Sequence, residues 1–91
     1  MKSILSNARR CYICGSTVGV ELHHIFFGSR RAISTKNGFT VWLCAYHHRD
    51  NRNGVHGNRN VDLILKRACQ YEYEKTHSRA EFMALIGRNY L

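Results

Sequence analysis

The chain has 91 residues, 44% of them hydrophobic, with no proline, four cysteines and six histidines. That length holds one small domain, and the hydrophobic share excludes wholesale disorder. Fourteen Lys and Arg against six Asp and Glu give a formal charge of +8, which points to a polyanionic partner, nucleic acid above all.

No apolar run is long enough to span a bilayer, and no long basic amphipathic helix suggests a membrane surface. The opening "MKSILSNARR" has no apolar stretch before its arginines, so it does not read as a signal peptide. The expected location is cytoplasmic. Four cysteines without an export signal are expected to meet metal rather than each other. A structural metal would also support a core this small.

Residues 1–10 read as a basic N-terminal arm, expected to be mobile, and 11–91 as a single domain. "CYICGSTVG" (11–19) is a cysteine pair closing on Gly15, the chemistry of a tight metal-binding turn. "VELHHIFF" (20–27) is rich in β-branched and aromatic residues and predicts a strand. "GSRRAISTKNG" (28–38), polar and bounded by glycines, predicts a loop carrying three cations. "FTVWLC" (39–44) predicts a second strand, giving a hairpin-like pair with a long connection. Phe26, Phe27 and Trp42 are expected in its core.

Residues 45–53 tolerate a helix that Gly54 would stop. Farther on, Val61, Ile64, Leu65, Ala68 and Tyr71 or Glu72 recur at helical spacing, with Asn60 as the expected N-cap. Ser78 and Glu81 form a capping box opening a last helix, with Phe82, Leu85 and Ile86 on its apolar face and Gly87 at its C-terminal end. Residues 60–91 therefore read as helical scaffold. Cys69 reads as a packed thiol and His77 as an exposed residue near a helix end.

Cys11-x-x-Cys14 and Cys44-x-x-His47 are two ligand pairs at knuckle spacing. Together they predict a four-donor structural zinc site, since thiolate and imidazole suit that ion. The gap between the pairs exceeds the roughly 12–20 residues of ordinary zinc fingers, and it encloses His23 and His24. Four clustered histidines, His23, His24, His48 and His56, remain. On a helix, His48 turns about 100° away from His47, toward the first strand. Imidazoles from strand and helix can then hold a second divalent ion and leave one base free for water.

The order C-x2-C, then "HHI" ending a strand, then "LCxxHH" opening a helix, resembles the HNH nuclease family, the ββα-metal endonucleases. The likeness covers about residues 11–58. The tail "EFMALIGRNYL", with "GVHGN" upstream, is similar to small HNH proteins carried by phages and prophages. The resemblance implies an α+β fold: a zinc-stabilised ββα-metal core at 11–58 with C-terminal helices. It implies a metal-dependent endonuclease acting on DNA in a bacterial host cell, with a homodimer or phage protein as a conceivable partner.

By position, His24 matches the family's general base. His23 stands in the place before it, where a metal ligand is common, and His48 matches the metal-binding histidine after the last zinc ligand. His56 resembles a further histidine beyond it. Cys11, Cys14, Cys44 and His47 match the structural zinc site, and Mg²⁺ or Mn²⁺ is the implied catalytic ion. A histidine-rich site is softer than magnesium prefers. Asn37 is the nearest counterpart of the family's asparagine, although it lies farther back. On a regular strand His23 and His24 face opposite ways, so one cavity can use both only where the strand bends or ends.

Arg30, Arg31, Lys36, Arg49, Arg52 and Arg59 are the expected phosphate contacts. The alternative expectation is a zinc-stabilised nucleic-acid-binding module without catalysis, which leaves the surplus histidines without a task.

Overall fold

The computed structural model describes residues 2–91; Met1, the first residue of the expected arm, lies outside them. Two antiparallel strands, β1 (Glu21–His24) and β2 (Thr40–Leu43), and four helices make a small α+β fold. The helices are α1 (Arg31–Asn37), α2 (Ala45–His48), α3 (Arg59–Tyr73) and α4 (Arg79–Ile86). The strands pair Glu21 with Leu43 and His24 with Thr40, as expected of a hairpin with a long connection. Among the described residues no helix is long and apolar enough to cross a membrane.

The connection is not the loop that its polarity suggested. It forms a 3-10 turn (Gly28–Arg30) followed by α1, which Gly38 ends in the left-handed region, its N–H donating to the Ser34 carbonyl. Little apolar periodicity marks α1 because its fully buried residue is Ser34. The Ser34 hydroxyl donates to the Phe26 carbonyl at 2.7 Å and accepts from the Phe26 N–H at 3.1 Å. This pairing turns the chain after β1, so the strand ends at His24 rather than running to Phe27.

The described part of the N-terminal arm packs on the fold. Ile4 and Leu5 lie against the core, and the Ile4 N–H donates to the Gly38 carbonyl. A Cβ on Gly38 would clash with the Lys2 carbonyl oxygen, so the helix end and the arm need glycine there.

The core is an aromatic cluster. Phe26 meets Phe39 and Phe82 edge-on, each at 5.6 Å between centroids, and Tyr73 meets Phe39 at 5.5 Å. Trp42 is half-buried beneath the Arg9 guanidinium, and Phe27 is exposed rather than in the core.

Helix α3 buries Asp62, Leu65, Lys66, Cys69, Gln70 and Tyr73, about one residue around from the expected stripe. Ile64 and Tyr71 are exposed instead. The displacement arises because three of the inward residues are polar. Asp62 and Lys66 form a buried ion pair, and Gln70 bonds to Glu74, Asn89 and the Tyr90 N–H. The N-cap is Asn58, whose side chain accepts from the Asn60 and Val61 N–H groups, not Asn60 itself. The expected capping box at Ser78 and Glu81, the terminating Gly87 and the packed Cys69 thiol are all present. His77 is exposed and stacks on Tyr73 at 4.0 Å.

Ser34→Ala should leave two buried backbone groups of Phe26 unpaired, costing about 1–3 kcal/mol. For a domain this size the thermal midpoint should fall by roughly 5–15 °C, read by circular dichroism.

Candidate metal centre

Two donor clusters meet at the corner where β2 runs into α2. The Cys44 carbonyl accepts from the N–H groups of both His47 and His48. Consecutive residues on that turn point about 100° apart, so His47 joins one cluster and His48 the other.

The first cluster is Cys11, Cys14, Cys44 and His47, which lie close enough to hold a metal ion. Cys11 Sγ is 3.6 Å and Cys44 Sγ 3.4 Å from His47 Nδ1, and the Cys14 and Cys44 sulfurs are 3.7 Å apart. The cysteine pair sits on a turn that Gly15 completes at φ +80°, its N–H donating to the Cys11 carbonyl. The Tyr12 N–H donates to the Trp42 carbonyl and fixes this turn against β2. Burial pushes the Cys11 thiol up, but N–H groups of Cys44, Cys14 and Ile13 outweigh it and bring its pKa down to about 6. Cys44 is pushed up by burial and by the neighbouring thiols. Donated N–H bonds on a sulfur favour the thiolate that a metal needs.

The second cluster is His23, His48 and His56. His48 Nε2 and His56 Nε2 are 3.2 Å apart, and the His23 ring lies 5.1 Å from that of His48 and 5.2 Å from that of His56. His23 Nε2 is buried without a hydrogen-bond partner among the described residues. A buried nitrogen left unpaired is costly, and the three rings lie close enough to hold a metal ion between them. Burial first, then the charges of His48, His56, Lys66 and His24, lower the His23 pKa to about 3. Its imidazole is therefore neutral, the form that ligates. His56 is likewise lowered, by burial and by His48.

His56 reaches the cluster on a tight loop. The Val55 and His56 N–H groups donate to the His47 and His48 carbonyls at 2.9 and 3.4 Å. Asp50 Oδ2 accepts from the Arg52 and Asn53 N–H groups. The short α2 followed by this loop replaces the helix expected through residue 53.

A cavity of about 330 Å³ opens over the three rings, lined also by His24, Phe27, Gly28, Arg31 and Arg49. His24 shares the cavity with His23 because the chain bends immediately after β1. It is not one of the three converging donors. Burial, then the charge of Arg31, lowers its pKa.

The expected phosphate contacts divide. Arg31 and Arg49 line the cavity, and Arg31 and Lys36 line an adjoining groove of about 730 Å³ along α1. Arg52 is exposed. Arg30 does not line the cavity; its Nε donates to the Ile86 carbonyl at 3.0 Å, where a cation suits a helix C-terminus. Arg49 is tied to Glu21 and Arg59 to Asp62. Asn37 is also elsewhere: its amide donates to the Ile33 carbonyl, and it faces a separate cavity with Ile4 and Tyr73.

Three contributors escaped the sequence reading. Glu21 Oε1 contacts His48 Nδ1 at 2.9 Å; its spacing from His23, two residues along a strand, was the available signal. Phe27 packs its ring on His56 at 5.0 Å. Lys66 Nζ lies 4.2 Å from the Phe27 centroid, and nothing local in the sequence marks it as buried. No family model, curated protein or solved structure matches the chain.

Cys44→Ser should remove a donor that ties β2 to the first turn and lower the melting temperature by roughly 10 °C or more, as loss of a structural metal does. His48→Ala, at the cavity wall, should shift it by only about 1–3 °C. Equal losses in calorimetry would mean that the two clusters do not have separate tasks.

Proposed function

We propose that the protein is a metal-dependent endonuclease of the HNH type, hydrolysing phosphodiester bonds of DNA. The observation that carries this reading is the convergence of His23, His48 and His56, each with a ring nitrogen close to the others, with His24 on the wall of the same cavity.

Zinc suits the first cluster. Bonds of about 2.3 Å to sulfur and 2.0–2.1 Å to nitrogen, arranged tetrahedrally, separate the donors by roughly 3.5–3.8 Å. The observed separations run from 3.4 to 3.7 Å. This cluster is closed, with four protein donors, and is structural in the proposed reading.

His23, His48 and His56 would hold the second ion with three donors, leaving positions for water and phosphate. Three imidazoles suit Mn²⁺ or a later transition ion better than Mg²⁺. When bound, such an ion supplies Lewis acidity toward the phosphate oxygens and the leaving oxygen.

The remaining steps belong to the side chains. His24 Nδ1 or Nε2, neutral at cellular pH, takes the proton of the attacking water. Arg31 lies beside it and offers its guanidinium to the phosphate. Lys36, along the adjoining groove, meets the next part of the backbone without reading bases. Phe27 and the buried Lys66 exclude water from beneath the rings.

Supercoiled plasmid incubated with the zinc-loaded protein and Mn²⁺ should be nicked or linearised, and EDTA should stop it. His24→Ala should reduce the rate by about 10²–10⁴-fold with zinc content and melting temperature unchanged. Binding without cutting in every divalent metal tested would favour the non-catalytic nucleic-acid-binding module instead.

A further inference from the structure

We propose that Glu21 is the positioning residue of the three-histidine cluster, setting which nitrogen of His48 is free to ligate. This rests on the reading that His23, His48 and His56 hold a cation, but not on the nuclease activity.

The argument begins with β1. Alternation along a strand places Glu21 on the same face as His23, and the register sets Glu21 opposite Leu43, one residue before the corner that launches α2. The carboxylate is thus brought beside the first turn of that helix. There Oε1 meets His48 Nδ1 at 2.9 Å and Arg49 Nε at 2.8 Å. An ionised carboxylate can only accept, so the His48 proton lies on Nδ1. The lone pair is then on Nε2, the nitrogen that stands 3.2 Å from His56 Nε2 in the cluster.

Without Glu21, the ring is free to place its proton on Nε2, which would close that position to a cation. Arg49 completes the arrangement by holding the same oxygen from the outer side. It is the more exposed partner, at 69% against 36%, so it serves as a brace rather than a source of much energy. The chain therefore uses an acid in contact with a cavity-lining histidine to orient a ligand. Asp62, the other acid on this side, is engaged by Lys66 and Arg59.

Carboxylates that orient a ligating imidazole typically change metal affinity by about 10–100-fold. The test titrates zinc-loaded protein with Co²⁺ and follows the visible absorption of a nitrogen-bound ion. Absence of a thiolate charge-transfer band confirms that zinc stays in the cysteine cluster. The ring nitrogen shifts of His48, read by NMR before cobalt is added, report its tautomer.

Wild type should show the proton on Nδ1. Glu21→Ala should lose that preference and bind Co²⁺ about 10–100-fold more weakly. Glu21→Gln, which keeps an acceptor and covers the case of an unstable alanine variant, should retain the Nδ1 proton with a smaller loss of affinity. Affinity within twofold of wild type in Glu21→Ala, or a glutamine variant as impaired as the alanine one, overturns the assignment. So does a wild-type cluster that takes no cobalt. Cobalt binding that responds to Glu21 in a protein that cuts no DNA ends the nuclease reading and leaves this one standing.

Discussion

The arrangement depends on one corner, where β2 becomes α2 and two adjacent histidines part. Cys44 ends the extended backbone and its carbonyl takes up the N–H groups of His47 and His48. The turn then sends one ring toward the sulfurs and the other toward β1. Because the two residues share a peptide bond, neither cluster can move far without moving the other. The bonds from the Val55 and His56 N–H groups back to the carbonyls of His47 and His48 extend this constraint to His56. Holding the thiolate cluster rigid is thus also a way of holding the imidazoles close.

Beneath the imidazoles lies a choice that simple packing does not favour. Asp62 and Lys66 are both nearly inaccessible and pair with each other. A buried ion pair seldom stabilises more than apolar residues of the same shape would, because desolvating both charges offsets their attraction. Its position gives it a use. The Lys66 charge lies against Phe27 and adds to the effects that disfavour protonation of His23, whereas at His56 the opposite charge of Asp62 outweighs that of Lys66. A neutral His23 is available as a ligand, so the Lys66 charge favours the form of that ring that a cation needs.

The four donors of the first cluster were legible in the sequence because the spacing of their C-x2-C and C-x2-H pairs reports covalent reach, whereas His23, His48 and His56 were assigned by position from the resemblance. The seven residues assigned to the two clusters are the seven that the fold brings together. Other features depended on contacts between distant segments. Helix α1 was missed because its inward residue is a serine whose partners are the backbone of Phe26. The buried face of α3 was displaced because Asp62, Lys66 and Gln70 read as solvent-facing until their partners are known. Arg30 looked like a free cation near the site, but its partner is the end of α4, fifty-six residues away. Asn37 had the residue type of a family position without its placement.

The disposition of charge joins these observations. All six acids have tasks within the fold: four are in ion pairs, Asp50 holds the loop that carries His56, and Glu81 completes a cap. Only five of the fourteen Lys and Arg side chains are in those pairs, which leaves nine without a carboxylate partner among the described residues. Arg31 and Lys36 lie on the groove continuous with the cavity. A surface with uncompensated positive charge draws a polyanion by itself, and a binding module would require no more than that. An unpartnered nitrogen on a buried imidazole ring that meets two others adds nothing to such binding and is costly to keep. The nuclease reading gives that nitrogen a purpose, and this is the physical ground for preferring it.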